Sequence, residues 1–189
     1  MSTQPSDGSQ PGQQPTLVVF GGLPGVGKTT LAKALARSVP ALLLRIDAIE
    51  TAVRTTGAVG AAEMGAVGYV VAAAVARDEL LVGRTVVIDA VNPVESARVM
   101  WRELADATRA SLRIVEVVCS GESEHRRRVE TRITDLAGGY LPSWQEVLDR
   151  EYEPWTEPRL TIDTAHTSVS DGVAAAIRWV RGHAGEGLA

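Results

Sequence analysis

The feature that most constrains this chain is a glycine-rich stretch of eight residues, Gly-Leu-Pro-Gly-Val-Gly-Lys-Thr, which runs from Gly22 to Thr29. It matches the phosphate-binding pattern G-x-x-x-x-G-K-[ST]. An apolar run suited to a buried strand precedes it at residues 16–21, and helix-forming residues follow it at 29–37. Because pattern and context agree, we predict a strand, a nucleotide-binding loop and a helix. A glycine-rich turn that binds nothing is the disfavoured alternative.

The residue types in this loop suit a triphosphate. Glycines let backbone N–H groups face the phosphates, and the helix N-terminus adds partial positive charge. Lys28 is expected to reach the β- and γ-phosphates, and Thr29 to offer its hydroxyl to Mg²⁺. The loop therefore predicts ATP, or another nucleoside triphosphate, together with Mg²⁺. The predicted nucleotide contacts here are Gly22, Pro24, Gly25, Val26, Gly27, Lys28, Thr29 and Thr30.

The composition indicates one globular domain, because 189 residues with 45% hydrophobic content can bury a sizeable core. We place the domain at residues 16–183, after a polar tail at 1–15 that we expect to be disordered and before a flexible tail at 184–189. The net charge of −4 makes nucleic acid an unlikely general partner. The three histidines lack metal-ligand spacing and Cys119 is the only cysteine, so Mg²⁺ is the only metal implied.

Two features argue against a membrane location. The first 15 residues are polar and lack the basic-then-apolar pattern of a signal peptide. The longest apolar stretch, residues 64–76, is too short to cross a bilayer. We therefore expect a cytoplasmic protein without membrane contact, and the sequence predicts no particular oligomeric state.

Apolar runs rich in β-branched residues alternate with helical patterns along the chain. Strands are predicted at 16–21, 41–46, 85–89, 112–119 and 159–163, and helices at 29–37, 47–56, 61–82, 94–108, 122–136, 143–153 and 169–181. This alternation predicts an α/β fold with a parallel sheet covered by helices on both faces. Ligands of such sheets lie beyond the carboxyl ends of the strands, so residues that follow the strands should converge on one site.

Asp47 follows the second strand, and Glu50 lies one helical turn further on. A carboxylate beside the γ-phosphate can orient an acceptor hydroxyl and take its proton. Arg54, another turn along, could hold an anionic group of the acceptor. Met64 and Tyr69, on the next helix, are expected to line the acceptor pocket. The alternatives are that Asp47 only caps its helix and that Glu50 and Arg54 are solvated surface residues.

The third strand ends in Asp89, a position from which a carboxylate can reach Mg²⁺ beside Thr29. Asn92 could hydrogen-bond the acceptor, although Asn before Pro93 is also common in turns. These residues would place the metal and the acceptor next to each other.

The densest positive charge lies in the run His125-Arg-Arg-Arg128, followed by Arg132. Arg128 and Arg132 are four residues apart, so on one helix they would share a face and could clamp the phosphates. Acidic residues on the same segment leave a salt-bridged, solvated face as the alternative.

With these residues placed, the chain resembles the small P-loop kinases, a branch of the AAA-type ATPases. This group includes adenylate, gluconate and shikimate kinases, chloramphenicol phosphotransferase and the kinase domains of polynucleotide kinases. The loop, Asp47, the strand ending at Asp89 and the arginines before Gly138 carry the resemblance. It implies a three-layer P-loop NTPase fold, with a five-stranded parallel sheet in the order 2-3-1-4-5 and a short lid at residues 132–141.

The resemblance also implies roles for single residues. Asp47 matches the acid that these enzymes direct toward the acceptor hydroxyl, and Arg128 and Arg132 match paired lid arginines. Thr164 lies in the turn where this group contacts the adenine. The nucleoside monophosphate-binding pattern of adenylate kinase is not recognisable between Asp47 and Arg77, so a different hydroxyl acceptor is favoured.

The sequence therefore favours an ATP-dependent phosphotransferase that acts on a hydroxyl of a small metabolite or antibiotic. The predicted catalytic residues are Lys28, Asp47, Arg128 and Arg132; the predicted substrate contacts are Asp47, Glu50, Arg54, Tyr69 and Asn92; the predicted Mg²⁺ ligands are Thr29 and Asp89. One alternative is a polynucleotide 5′-hydroxyl kinase, which the acidic charge disfavours. The other is a nucleotide-binding regulator that hydrolyses ATP slowly without a small-molecule acceptor.

Overall fold

The computed structural model describes residues 14–57 and 64–182. The tail predicted at residues 1–15, except for its last two residues, and the tail predicted at 184–189 lie outside the described residues. The side chain of Met64, predicted to line the acceptor pocket, also lies outside what is described.

Strands and helices alternate along the described chain. The strands are β1 (Thr16–Gly21), β2 (Ala41–Arg45), β3 (Thr85–Asp89), β4 (Ser111–Val118) and β5 (Arg159–Asp163). The helices are α1 (Lys28–Ser38), α2 (Ile46–Thr56), α3 (Met64–Leu81), α4 (Glu95–Thr108), α5 (Glu122–Thr131), α6 (Trp144–Leu148) and α7 (Val169–Val180). All strand pairs are parallel, and the strand order is β2-β3-β1-β4-β5, which confirms the predicted sheet.

β1 lies at the centre of the sheet because its side chains are apolar on both faces. Leu17 and Val19 pack into one hydrophobic core, and Val18 and Phe20 pack into the other, since successive side chains of a strand face opposite sides. All four are buried. Such a strand needs cover on both faces, which the parallel α/β arrangement supplies.

The two cores place helices on opposite faces of the sheet. Trp101 of α4 and Ala76 of α3 belong to the first core, and Leu35 of α1 and Ala176 of α7 belong to the second. The prediction of a three-layer fold is therefore confirmed. With the helices on the faces, the carboxyl-end edge of the sheet stays open to a ligand.

The helix bounds differ from the predicted ones at several ends, and three of these differences lie near the carboxyl-end edge of the sheet or the lid segment. α2 begins at Ile46 rather than Asp47, and α6 ends at Leu148 instead of reaching residue 153. α5 ends at Thr131, and Arg132 has the extended backbone angles φ −66° and ψ 145°. β-branched residues at 131, 133 and 134 favour this end, because they are weak helix formers. The lid segment, residues 132–141, therefore contains no helix.

None of the helices in the described ranges is both long and apolar enough to cross a membrane.

Candidate active site

The glycine-rich loop lies between β1 and α1, and its backbone geometry requires glycine. Gly22 has φ +134°, its N–H donates to the carbonyl of Val91 at 3.1 Å, and a Cβ there would lie 2.1 Å from the carbonyl oxygen of Val117. Gly27, with φ +99°, turns the chain into the N-terminus of α1. L side chains are disfavoured in this region of φ. The loop is thus held in one tight conformation at the positive end of an 11-residue helix.

Lys28 is the first residue of α1, and its side chain is only 8% exposed. The ammonium donates to the carbonyl oxygen of Leu23 at 2.8 Å, which folds the side chain back over the loop. Burial lowers the pKa of Lys28 to about 8, and the nearby carboxylates of Asp89 and Asp47 oppose that shift. A buried cation with so few partners gains from an anionic ligand in the loop.

Thr29 and Asp89 meet at the carboxyl end of β3. The Thr29 hydroxyl donates to Oδ2 of Asp89 at 2.7 Å. Asp89 is 6% exposed; burial raises its pKa, while Lys28 and the bond from Thr29 counteract the rise. A hydroxyl and a carboxylate side by side are oxygen donors of the kind that Mg²⁺ prefers. This donor set therefore fits the predicted magnesium site.

A magnesium ion at this position would also need ligands from a nucleotide or from water. Within residues 14–57 and 64–182, no group of three or more His, Cys, Asp or Glu side chains could hold a metal. Mg²⁺ is commonly bound through one or two protein oxygens plus substrate phosphates, so a sparse site matches that pattern.

A cavity of about 1330 Å³ opens along this edge of the sheet. Residues from the glycine-rich loop, α2, the end of β3, the lid segment and the turn after β5 line it. Most predicted site residues lie in its wall, namely Pro24, Gly25, Gly27, Lys28, Thr29, Thr30, Asp47, Glu50, Arg54, Tyr69, Asp89, Arg128, Arg132 and Thr164. Gly22, Val26 and Asn92 are not in the cavity wall.

α2 forms part of the cavity wall. Asp47 is exposed in the first turn, and Glu50 and Arg54 follow at spacings that keep them on one side of the helix. Burial raises the pKa of Glu50, and the neighbouring Asp47 raises it further. Tyr69 of α3 closes this wall; its hydroxyl accepts a hydrogen bond from the Asn92 N–H at 3.3 Å, and burial raises its pKa to about 12.

Two predictions about individual residues are corrected by the structure. Asp47 does not cap α2, because Arg45 holds the N-cap position and makes no side-chain cap bond. Asn92 is fully buried: its amide nitrogen donates to the Phe20 carbonyl at 2.8 Å, and its amide oxygen accepts from Nε1 of Trp101 at 2.8 Å. The Asn92 side chain therefore joins β1 to α4 within the core, and it does not line the cavity.

Arg128 and Arg132 both line the cavity, but not from one helix face. Arg128, on α5, donates to Oε1 of Glu124 at 2.8 Å and to the side chain and carbonyl of Thr164 at 2.8 and 3.1 Å. Arg132 lies beyond the end of the helix, and its Nε is buried without a hydrogen-bond partner. Burial lowers the pKa of Arg132, against the influence of Asp47. Arg132 is thus the less satisfied of the two.

Thr164 connects the turn after β5 to the glycine-rich loop. Its hydroxyl lies 2.8 Å from the Val26 carbonyl and 3.1 Å from the Val118 carbonyl, and it accepts from Arg128. These bonds connect the conformation of the glycine-rich loop to the turn that the resemblance assigns to adenine binding.

Sequence reasoning missed four charged residues of this cavity. Arg45 and Lys33 both donate to Asp135 of the lid segment, Arg45 through two bonds of 2.8 and 2.9 Å. Arg45 also approaches Oδ2 of Asp89 at 3.8 Å. Arg45 ends β2 and pairs with Asp89 in the strand register. Its position at a strand end could have indicated that Arg45 lies at the same edge of the sheet. Arg150, which follows α6, lines the cavity without any local sequence signal.

Comparison with known proteins agrees with this geometry. The sequence profile described as an AAA domain matches residues 17–137. The chain belongs to this AAA domain family. The match includes the glycine-rich loop, Asp47, Asp89 and both cavity arginines of the α5 region. No curated protein matches this AAA domain significantly.

Solved structures share the fold of this AAA domain over most of its length. APE1195 is 25% identical with a TM-score of 0.70, covering 92% of this chain and 98% of its own. The Mycobacterium tuberculosis APS kinase CysC, in complex with AMPPNP and APS, is 19% identical with a TM-score of 0.66, covering 90% and 99%. A gluconokinase from Sinorhizobium meliloti 1021 is 21% identical with a TM-score of 0.62, covering 91% and 95%. The predicted resemblance to the small P-loop kinases is confirmed.

Proposed function

We propose that this AAA domain is a phosphotransferase that moves the γ-phosphate of ATP to a hydroxyl of a small molecule. One observation carries the proposal: a single cavity is lined both by Lys28 and the Thr29–Asp89 pair and by the Asp47 carboxylate at the start of α2. Donor and acceptor groups can thus face each other in one space. Structural likeness to an APS kinase and a gluconokinase supports this assignment.

On the donor side, the glycine-rich loop would receive the phosphates through its backbone N–H groups and the N-terminus of α1. The Lys28 ammonium would leave the Leu23 carbonyl and bind the β- and γ-phosphate oxygens. Arg128 and Arg132 would stabilise charge on the transferred group. The Thr29 hydroxyl and the Asp89 carboxylate would hold Mg²⁺, which supplies charge neutralisation to the phosphates when bound.

On the acceptor side, Asp47 would accept a hydrogen bond from the reacting hydroxyl and orient it toward the γ-phosphorus. The hydroxyl oxygen forms a new P–O bond while the bond between the γ-phosphorus and the bridging oxygen breaks, so that ADP leaves with that electron pair. The hydroxyl proton passes to the Asp47 carboxylate and then to solvent. Little more is required of a base in phosphoryl transfer.

The lid segment would exclude water from this step. Asp135 joins it to Lys33 on α1 and to Arg45 at the end of β2. Held by these contacts, the segment would restrict access to the cavity for water that competes with the acceptor. A cytoplasmic protein with one domain over residues 16–183 is part of the same proposal.

The proposal is tested by measuring ATP consumption and phosphorylated product across a library of hydroxylated metabolites and antibiotics. Asp47→Asn is the matched blank, because it keeps the shape of the side chain and removes its charge. We expect at least one acceptor to stimulate ATP consumption in wild type and not in Asp47→Asn. Full transfer by Asp47→Asn would contradict the assigned role of this carboxylate.

Two other outcomes would redirect the assignment. Transfer of label from radiolabelled ATP to 5′-hydroxyl oligonucleotides, with no small-molecule turnover, would indicate a polynucleotide kinase. ATP hydrolysis that no acceptor stimulates would indicate a nucleotide-binding regulator. We expect Lys28→Ala to abolish activity in each case. That loss would indicate that the reaction depends on the nucleotide site.

A further inference from the structure

The cavity is strongly positive although the chain as a whole carries a net charge of −4. Seven basic side chains line it, against four acidic ones: Asp47, Glu50, Asp89 and Asp135. The cavity therefore carries an excess of three positive charges. A surplus of this size inside an acidic protein calls for anionic ligands.

Most of these cations already have partners or a role toward the nucleotide. Lys33 and Arg45 bind Asp135, and Arg128 binds Glu124. Lys28 belongs to the glycine-rich loop. In the proposed function, Lys28, Arg128 and Arg132 would bind the phosphates of ATP. Two arginines of the cavity wall, Arg54 and Arg150, are left over.

Arg54 and Arg150 line the same cavity from two different segments of the chain. Arg54 lies on α2, seven residues beyond Asp47, and Arg150 follows α6. Arg54, Arg150 and the Glu50 carboxylate line the same cavity, and both arginine charges oppose the rise in the pKa of Glu50 that burial causes. Among the described residues, neither arginine comes within 4.0 Å of a carboxylate oxygen. Their N–H donors are therefore free to bind a ligand.

Fixed backbone on both sides holds Arg150 at the cavity. Before it, Ser143 and Glu146 form a capping box at the start of α6. After it, the Glu153 N–H donates to the Pro93 carbonyl at 2.8 Å.

Arg98 strengthens the second anchor. It is buried, donates to the carbonyls of Glu153 and Pro154, and stacks over the Trp155 ring at 4.0 Å from its centroid. Arg150 thus extends from a supported segment and differs in this respect from an ordinary surface arginine.

We propose that the acceptor carries an anionic oxygen group, a carboxylate, sulfate or phosphate, in addition to its reacting hydroxyl, and that Arg150 and Arg54 bind that group. This inference rests on the proposed phosphotransferase function and names its substrate class. Guanidinium groups bind such anions through paired N–H donors, which fixes orientation as well as affinity. The two arginines would bind the anionic group, and Asp47 would orient the reacting hydroxyl of the same acceptor.

A binding measurement tests the anion site without turnover. Sulfate is titrated into the full chain in the presence of Mg²⁺ and a non-hydrolysable ATP analogue, and the midpoint of thermal unfolding is followed. We expect a saturable rise in wild type, a smaller one in Arg150→Gln and Arg54→Gln, and an unchanged one in Arg77→Gln. Arg77 is an exposed arginine of α3 outside the cavity wall. The same response in Arg150→Gln as in wild type, or no saturable rise in wild type, would overturn the inference.

A kinetic arm uses matched acceptors, such as a hydroxy acid and its amide, or a sugar acid and the neutral sugar. We expect turnover of the anionic member, with KM raised about tenfold or more in Arg150→Gln and kcat changed much less. Turnover of neutral acceptors alone would overturn the inference while the phosphotransferase assignment stands. A positive sulfate result without any acceptor turnover would uphold the anion site and contradict the phosphotransferase assignment.

Discussion

The Thr29 hydroxyl donates a hydrogen bond of 2.7 Å to the Asp89 carboxylate, and this bond joins the start of α1 to the end of β3. The two residues are 60 positions apart in the sequence. Their contact joins the glycine-rich loop and the end of β3 at the carboxyl-end edge of the sheet.

Asp89→Asn should lower phosphotransfer by about 100-fold or more, because the amide keeps the hydrogen bond to Thr29 but removes the charge that would hold Mg²⁺. The half-saturating Mg²⁺ concentration should rise, which a magnesium titration of the initial rate measures. Thr29→Ser keeps the hydroxyl and serves as the control, so its magnesium dependence should stay near that of wild type. An unchanged magnesium dependence in Asp89→Asn would contradict this role.

Lys28 should give nucleotide binding a dependence on alkaline pH. Its pKa is about 8, so the ammonium that attracts the phosphates is lost above that pH. The Kd for ATP should therefore rise by up to about tenfold per pH unit above pH 8. Titrations of nucleotide binding between pH 7 and 10 measure this, and Lys28→Arg, which stays charged, should flatten the profile. Equal slopes in both proteins would assign the dependence to another group.

The same group should affect stability with the opposite sign. Between pH 8 and the ordinary value of 10.5, the unfolded state binds the Lys28 proton more tightly than the folded state. The contribution of Lys28 to the free energy of unfolding thus increases as the pH rises through this window and is independent of pH below it.

Asp135→Asn should loosen the lid segment. Arg45 and Lys33 hold the pKa of the Asp135 carboxyl well below its ordinary range, so the ion pairs persist at neutral pH. Without them, water should enter more readily, and the ratio of ATP hydrolysis to transfer should rise several-fold. Paired assays of free phosphate and phosphorylated acceptor give this ratio. Asp106→Asn, on the exposed surface of α4, is the control, and an unchanged ratio in Asp135→Asn would count against water exclusion by this segment.

Arg98→Met should destabilise the fold by about 3–5 kcal/mol, because it removes a buried cation and leaves several backbone carbonyls without donors. Arg98 is 2% exposed and donates to the carbonyls of Asn92, Pro93, Glu153 and Pro154. Urea unfolding followed by circular dichroism measures the loss. Arg77→Met on the surface should stay within about 0.5 kcal/mol of wild type. A comparably small effect of Arg98→Met would show that the segment after α6 is held by other contacts.

The sequence predicted the parts of this molecule that depend on local pattern. Periodicity located the strands, the glycine-rich loop located the start of α1, and strand ends located Asp47 and Asp89. The order of the sheet came from the resemblance, since periodicity alone does not specify which strands are neighbours.

The residues that sequence reasoning misplaced or missed depend on contacts between distant segments. Asn92 lies in the connection between β3 and α4, and its burial accompanies bonds to Phe20 and Trp101. Arg45 and Asp135 meet across 90 residues. Nothing near either residue in the sequence indicates such a partner.

The positive cavity also has a consequence for how quickly ligands arrive. The rest of an acidic surface repels anions at a distance, whereas field lines from a cationic cleft with low-dielectric walls concentrate at its opening. Anionic molecules that diffuse past this protein would be guided to the one place where they can react. Their capture would slow as salt shortens the range of the field.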